Sequence, residues 1–175
     1  MVEILTREIF RLEVEGLILA AGYSSRAGAF KMGLTLDGTT ILERTIKNVI
    51  DFCSQIIVVG GYKIELLQNI VKDYEKVEVV CNKNYSEGMF SSVKTGIEHI
   101  KASRFFLQPG DIPFISSSTF ARLLAIDADI VLPTFNGKRG HPVLLKNSLI
   151  AEILAEPADS NLRNYIHNKG FTEVE

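Results

Sequence analysis

The 175-residue chain has only two cysteines, no cluster of basic residues and no long apolar run. Cys53 and Cys81 stand alone, so each is expected to be a small buried side chain rather than a metal ligand or nucleophile. A net charge of −2 without a basic cluster makes nucleic acid a poor partner. No apolar stretch reaches the roughly 20 residues that span a membrane, and the charged start is unlike a signal peptide. The composition therefore predicts a cytoplasmic protein with reduced thiols.

Short apolar runs alternate with amphipathic patterns along the chain. Residues 16–175 are expected to form one domain. Residues 1–15 would be an N-terminal extension, in which alternating apolar and charged residues over 10–15 predict a half-buried strand that extends or precedes the first. Runs rich in Val, Ile or Leu predict strands near residues 15–20, 56–60, 77–81, 104–108 and 129–133.

This alternation predicts an α/β fold with a mostly parallel sheet covered on both faces. Helices are expected behind the N-caps Thr40 and Ser86, and two shorter ones at residues 147–155 and 159–168. The dipeptide Asn136-Gly137 predicts a hairpin, and hence an antiparallel excursion from the sheet. Ligands of parallel sheets bind at the carboxyl ends of the strands. The loops after the first, third and fourth predicted strands should therefore converge on one site.

The loop after the first predicted strand reads L-A-A-G-Y-S-S-R-A-G-A-F-K. Gly22 and Gly28 allow a backbone approach that a side chain would block. The Ser24 hydroxyl, the charges of Arg26 and Lys31, and backbone N–H groups suit the oxygens of a polyphosphate. The loop lacks G-x-G-x-x-G and G-K-[S/T], so it is neither a dinucleotide fingerprint nor a P-loop. It predicts a nucleotide enzyme; the alternative is an ordinary turn whose cations are solvated.

The loop after the fourth predicted strand carries Asp111 in a turn built from Pro109, Gly110 and Pro113. One carboxylate at a strand's carboxyl end can hold a Mg²⁺ ion that bridges phosphate oxygens. The alternative is an aspartate that fixes the turn through its own backbone. Beside the cationic first loop, the metal site is the favoured interpretation.

Two further segments predict ligand contacts. Gly88, Ser91 and Ser92 lie at the start of a predicted helix, where N-termini attract anions or polar ligand edges; plain capping is the alternative for the serines. Arg139 and His141, after the predicted hairpin, could reach a second anionic substrate; a solvated hairpin tip is the alternative there. The pair Asp159 and Arg163, spaced i, i+4 on a predicted helix, is interpreted as a cap and a surface ion pair.

Three motifs together resemble one known family. The elements L-A-A-G-x-S-x-R-x-G-x-x-K, P-G-D-x-P and R-G-H-P, within residues 16–165, are similar to those of the MocA-type and MobA-like NTP transferases. The resemblance implies a three-layer Rossmann-like nucleotidyltransferase fold and the use of Mg²⁺. It implies transfer of a nucleoside monophosphate from an NTP to a phosphorylated acceptor, with release of pyrophosphate. L-A-A-G accompanies CTP in that family, the implied acceptor is molybdopterin, and a molybdoenzyme is a possible partner.

The resemblance also implies roles for individual residues. Lys31 would act at the α-phosphate in the transition state, Arg26 at the β- and γ-phosphates, and Asp111 at the metal. Arg139 and His141 would contact the acceptor. The implied nucleotide contacts are Leu19, Ala20, Ala21, Gly22, Ser24, Ser25, Arg26, Lys31, Gly88, Ser91, Ser92, Pro109 and Gly110.

The chain also departs from the family pattern. Met32 stands where relatives usually have proline. Relatives continue into an acidic D-x-D-T-P-x-D element that would supply a second carboxylate for metal, and this chain is expected to lack it. Either Asp159 takes its place, or the protein binds nucleotide without efficient turnover. Two other functions therefore stay open: nucleotidyl transfer to another acceptor, such as a sugar or polyol phosphate, and a non-catalytic chaperone that holds molybdenum cofactor or nucleotide.

Overall fold

The computed structural model describes residues 14–23 and 30–175. The strands of these residues are β1 (Val14–Leu19), β2 (Thr35–Leu36), β3 (Thr39–Thr40), β4 (Ile56–Gly60), β5 (Val77–Cys81), β6 (Arg104–Pro109), β7 (Ile130–Phe135), β8 (Lys138–Arg139), β9 (Val143–Lys146) and β10 (Thr172–Val174). All five predicted strands are present, as β1, β4, β5, β6 and β7.

The central sheet has the strand order β10-β7-β9-β6-β1-β4-β5, and β8 pairs with the end of β7. Strand β1 pairs in parallel with β4 and β6, β4 with β5, and β7 with β10. Strand β9 lies antiparallel between β6 and β7. The mostly parallel sheet is confirmed, and so is the hairpin, in which Asn136 and Gly137 have φ of 50° and 71° and join β7 to β8.

Helices connect the parallel strands. Helix α1 (Ile41–Val49) begins at the predicted N-cap. Thr40 Oγ1 accepts a hydrogen bond from Glu43 N at 3.2 Å, and the Glu43 carboxylate accepts one from Thr40 N at 2.9 Å. The prediction of Ser86 as an N-cap is wrong, because Ser86 lies in a 3-10 turn and Gly88 precedes the helix. The helices are α1 (Ile41–Val49), α2 (Ile64–Val71), α3 (Met89–Ile97), α4 (Ser117–Leu124), α5 (Ile150–Ala155) and α6 (Leu162–Lys169).

Both faces of the sheet are covered, as predicted. Alternate residues of β1 point to opposite faces, so that Leu17 packs with Val93 of α3 and with residues of α5 and α6. Its neighbour Ile18 packs on the other face with Ile46 of α1 and with residues of α2 and α4. Each fully buried aliphatic side chain contributes about 1.5–3 kcal/mol relative to an exposed one. Two apolar layers therefore hold the sheet between two sets of helices.

Burial corrects two expectations. Cys53 is buried but Cys81 is exposed, because Cys81 ends β5, which is an edge strand of the sheet. The alternating pattern predicts an exposed Glu15, yet this residue is 4% exposed. Its carboxylate accepts hydrogen bonds from the backbone N–H groups of Lys101 at 2.7 Å and Ala102 at 3.1 Å, which offset the cost of its burial. Residues 10–13 of that pattern lie outside the described residues.

The predicted helix at residues 159–168 starts later, so the i, i+4 interpretation of Asp159 and Arg163 is wrong. Asp159 precedes α6, and the N-cap is Asn161, whose Oδ1 accepts a hydrogen bond from Asn164 N at 2.9 Å. No helix in the described part of the chain is long and apolar enough to cross a membrane.

Candidate active site

The loops after β1 and β6 meet at the carboxyl edge of the sheet. The N–H of Gly110 donates to the carbonyl of Leu19 at 2.8 Å. Beyond this bridge, Lys31 Nζ lies 3.5 Å from Asp111 Oδ2, and the two side chains are 40% and 39% exposed. Strands β1 and β6 are adjacent and parallel, so residues 80 positions apart reach the same point. A cation and a carboxylate thus lie together where a ligand can approach both.

Two residues that the sequence did not single out fix the turn that carries Asp111. Thr45, buried on α1, donates its hydroxyl hydrogen to the carbonyl oxygen of Gly110 at 2.9 Å or of Ile41 at 3.0 Å. Asn48, one turn later, donates its amide to the carbonyl of Pro113 at 2.7 Å. These bonds attach the P-G-D-I-P turn to the helix, so the position of Asp111 depends on α1. Their only sequence signal is a pair of polar residues on the apolar side of an amphipathic helix.

The backbone of the first loop packs closely against this turn. A Cβ atom at Gly110 would lie 2.9 Å from Met32 Sδ and 3.3 Å from the carbonyl oxygen of Leu19. Only glycine fits there without displacement. Ala20 and Ala21 are buried, whereas Gly22 is exposed. A nucleotide could therefore meet the buried part of this segment only through backbone atoms, as expected for a loop of small residues.

The remaining predicted residues of the first loop, Ser24, Ser25 and Arg26, lie outside the described residues. Their roles stay predictions. Pro109, the last residue of β6, pairs in register with Leu19, the last residue of β1. It lies half-buried directly before the turn.

The loop after β5 is held by Asn82, another residue that was not predicted to belong to the site. Asn82 is 3% exposed, and its amide nitrogen donates to Ser91 Oγ and to Ser92 Oγ, both at 2.9 Å. Its Oδ1 accepts from Asn84 N at 2.9 Å. Gly88, with φ of 104°, turns the chain into α3 in a conformation that L side chains rarely adopt. The first turn of α3 is thereby locked to the end of β5.

This network sets what the two predicted serines can contact. Ser92 is 3% exposed, and its hydroxyl faces Asn82 inside the protein. The Ser91 hydroxyl lies nearer the surface and donates its hydrogen to the carbonyl of Asn84 at 2.9 Å or of Gly88 at 2.8 Å. Both serine hydroxyls thus form hydrogen bonds within the protein and stabilise the loop.

A tyrosine cluster joins the first and third loops. The ring centroid of Tyr23 lies 5.1 Å from that of Tyr85 and 5.5 Å from that of Tyr62. Tyr85 packs against Gly61, where a Cβ atom would lie 2.6 Å from the ring. A hydrogen bond with Tyr23 raises the pKa of the Tyr85 phenol. The predicted convergence of the loops after the first, third and fourth predicted strands is thus present in the structure.

The R-G-H-P segment places its two predicted acceptor residues differently. Arg139 is partnered within the protein: its Nε donates to Glu173 Oε1 at 2.8 Å, and its guanidinium lies 4.2 Å from the ring centroid of Phe171. His141 is half-buried, and none of the described residues is a hydrogen-bond partner of its Nδ1. Burial lowers the pKa of His141, while the backbone of Leu107 and the charge of Asp111 act in the opposite direction.

The site offers limited ligation for a metal. Within residues 14–23 and 30–175, no three His, Cys, Asp or Glu side chains come together as a metal-binding group. The half-exposed Asp111 carboxylate alone suits Mg²⁺, which is commonly held by one or two carboxylates together with substrate phosphates and waters. The donor set therefore fits a metal that arrives with a nucleotide rather than one held in a protein cage.

Comparison with known proteins gives a family and two similar relatives. A family model described as the MobA-like NTP transferase domain matches residues 16–173. The chain is 33% identical over 151 residues to the molybdenum cofactor cytidylyltransferase of Escherichia coli (strain K12), covering 86% of this chain and 79% of that protein. It is 27% identical over 129 residues to a probable molybdenum cofactor guanylyltransferase of Bacillus cereus (strain G9842), covering 71% of this chain and 63% of that protein.

A solved structure shares the fold. The manganese complex of Rv0371c from Mycobacterium tuberculosis H37Rv matches with a TM-score of 0.74 at 20% identity, covering 93% of this chain and 87% of that one. At this identity the likeness concerns the fold alone. It agrees with the predicted three-layer α/β fold.

Proposed function

The chain belongs to the family of MobA-like NTP transferase domains, and we propose that it transfers CMP from CTP to molybdopterin, with release of pyrophosphate. Family membership confirms the resemblance carried by the sequence motifs. The observation that carries the proposal for this chain is the meeting of Lys31 and Asp111, 3.5 Å apart at the ends of two adjacent parallel strands.

Such a transfer needs no nucleophile from the protein. A phosphate oxygen of the acceptor attacks the α-phosphorus of CTP, the new P–O bond forms, and the bond to pyrophosphate breaks on the opposite side. The protein therefore has to align two anionic substrates and neutralise the charge that develops on the equatorial and leaving oxygens. The small-residue loop after β1 supplies backbone for the phosphates, and Lys31 supplies a charge for the α-phosphate. Arg26, outside the described residues, is proposed to contact the β- and γ-phosphates.

Asp111 is the proposed ligand of Mg²⁺. When bound, the ion would neutralise phosphate charge. The half-exposed carboxylate and its hydrogen-bonded turn support this role. The similar Mycobacterium tuberculosis structure contains manganese, which is a property of that protein. Lys31 beside Asp111 would keep the carboxylate in place until the nucleotide enters.

CTP is proposed over GTP because the loop reads L-A-A-G and because the cytidylyltransferase relative has the higher identity and coverage of the two. Among the described residues of this loop, the buried Ala20 and Ala21 can present only backbone groups to a base. A base recognised there would be selected by its hydrogen-bonding edge.

Pyrophosphate release tests the proposal. Protein is incubated with molybdopterin, Mg²⁺ and CTP, GTP or ATP, and the rates are compared. We expect release with CTP that falls by about 10²–10³ in Asp111→Asn and is unchanged in Asp73→Asn, which alters an exposed carboxylate elsewhere on the surface. CTP binding without release would favour the non-catalytic chaperone. Release with a sugar or polyol phosphate instead of molybdopterin would favour the other class of acceptor.

A further inference from the structure

A cavity of about 400 Å³ lies next to the turn that carries Asp111. Ile112, the next residue along the chain, lines it, and it extends between the start of α4 and the β7–β8 hairpin. His141 lines it too, whereas Lys31 and the described part of the first loop do not. Its volume is within the range of small-molecule sites. A molecule in this cavity would lie next to the turn that carries Asp111, in space that the described part of the first loop does not line.

The walls of the cavity combine apolar rings with charged residues, of which one, Glu175, is acidic. Phe114 and Phe135 are 73% and 75% exposed, the two most exposed large apolar side chains among the described residues, and both line the cavity. Lys138 and Arg122 line it too. Arg122 donates to the backbone carbonyl of Glu175, and no carboxylate within residues 14–23 and 30–175 forms an ion pair with Lys138.

The hairpin brings one ring and one cation to the same place. Phe135 and Lys138 are directly opposite partners across the turn, and opposite residues of an antiparallel pair project to the same face. Stacking of a planar ring on an exposed aromatic side chain is favourable, because it removes apolar surface of both from water. A lysine beside such a ring neutralises an anionic group on the same molecule. A polyol has no planar apolar face and would not cover the exposed rings of Phe114 and Phe135.

We propose that this cavity binds the phosphorylated acceptor, that Phe114 and Phe135 contact a planar heteroaromatic ring of it, and that Lys138 neutralises its phosphate. The inference rests on the proposed function and adds to it the location of the acceptor and the residues that select its ring. It assigns the acceptor to the class of heteroaromatic phosphates and separates it from sugar and polyol phosphates. Arg139 of β8 contacts Glu173 and Phe171, and these contacts stabilise the hairpin.

Isothermal titration calorimetry with three probes tests this assignment on the full chain. The probes are pterin-6-ylmethyl phosphate, 6-hydroxymethylpterin as the ring without phosphate, and ribitol 5-phosphate as the phosphate without ring; CTP with Mg²⁺ is titrated separately. We expect the pterin phosphate to bind at least about tenfold more tightly than either reference compound. Ribitol 5-phosphate lacks the ring that stacks on Phe114 and Phe135, and hydroxymethylpterin lacks the phosphate that pairs with Lys138. Equal binding of ribitol 5-phosphate would overturn the assignment of the ring.

Variants of exposed residues locate the binding. Phe135→Ala and Phe114→Ala should each weaken the pterin phosphate by about tenfold. Lys138→Ala should weaken the pterin phosphate but leave hydroxymethylpterin unchanged, which a general loss of structure would not do. Leu66→Ala and Lys72→Ala, both exposed and away from the cavity, serve as matched controls and should bind as wild type. All variants should bind CTP normally.

The outcomes separate this inference from the proposed function. The cavity assignment is overturned if the protein binds CTP but not the pterin phosphate. It is also overturned if Phe135→Ala and Lys138→Ala leave binding of the pterin phosphate unchanged. Both results leave the proposed nucleotidyl transfer intact. Failure of CTP to bind would contradict the proposed function itself.

Discussion

Thr45 and Gly110 are joined by a buried hydrogen bond of 2.9 Å between the threonine hydroxyl and the glycine carbonyl. Gly110 immediately precedes Asp111, and Thr45 lies on α1, 65 residues earlier in the chain. Helix α1, which begins with the capping box of Thr40 and Glu43, thus also positions Asp111, the proposed metal ligand. The structure links the stability of α1 to the geometry of the site.

Replacing Thr45 with valine tests this link. Thr45→Val keeps the side chain's shape and removes the donor, which leaves the Gly110 carbonyl buried without that partner. We expect a loss of about 1–3 kcal/mol in the free energy of unfolding, measured by urea denaturation, and a higher Mg²⁺ requirement for activity. Thr45→Ser should restore the Mg²⁺ requirement. The exposed Thr35→Val is the control, and equal stability of Thr45→Val and wild type would contradict the link.

Lys31 should act on turnover rather than on nucleotide binding. Its proposed interaction with the α-phosphate strengthens as charge builds in the transition state, so Lys31→Ala should lower kcat by about 10²–10³ with a smaller change in CTP affinity. Steady-state pyrophosphate release and calorimetry measure the two quantities. The exposed Lys101→Ala should resemble wild type. An unchanged kcat in Lys31→Ala would refute the role.

Asn82 should stabilise both the fold and the third loop. Asn82→Ala removes two hydrogen bonds of 2.9 Å that join the end of β5 to the start of α3, and a third of 2.9 Å to Asn84 N within the loop. We expect a loss of about 1–3 kcal/mol in the free energy of unfolding and a raised KM for CTP. Asn69→Ala, at an exposed position of α2, is the matched control. If Asn82→Ala unfolds at the same urea concentration as the control, the network has no structural role.

The lowered pKa of His141 predicts that the protein loses stability in mild acid. Burial lowers the pKa of His141 in the folded protein below its ordinary value of about 6.5. The unfolded chain therefore takes up this proton first, and stability should fall as the pH drops below about 6.5, until the folded protein is protonated too. His141→Gln should lose less stability between pH 7 and pH 5 than wild type in urea titrations. The exposed His167→Gln should follow wild type; parallel curves for all three proteins would contradict the prediction.

Local patterns were sufficient for five strands of the central sheet, the hairpin and one helix start, but not for β2, β3, β9 and β10. An apolar run of five or six residues predicts a strand because both faces of a parallel sheet are buried. The dipeptide Asn136-Gly137 predicts the hairpin because a two-residue turn requires positive φ at both positions, which Asn and Gly tolerate. The N-cap at Thr40 depends only on residues three positions apart. The motifs likewise brought Asp111 and Lys31 into one expected site, because parallel strands end at a common edge.

Features that depend on distant neighbours were beyond these patterns. Strand β9 lies antiparallel between β6 and β7 because long-range pairing sets strand order, which no local pattern specifies. Cys81 is exposed because β5 is an edge strand, and Glu15 is buried because two backbone N–H groups far along the chain satisfy its carboxylate. The sequence assigns no role to Thr45 or Asn82, and their importance for the site follows from their hydrogen bonds in the folded chain. The local elements and the motif residues thus follow from the order of amino acids, whereas the polar groups that hold them in place follow from packing, since burial and hydrogen-bond partners exist only in the folded chain.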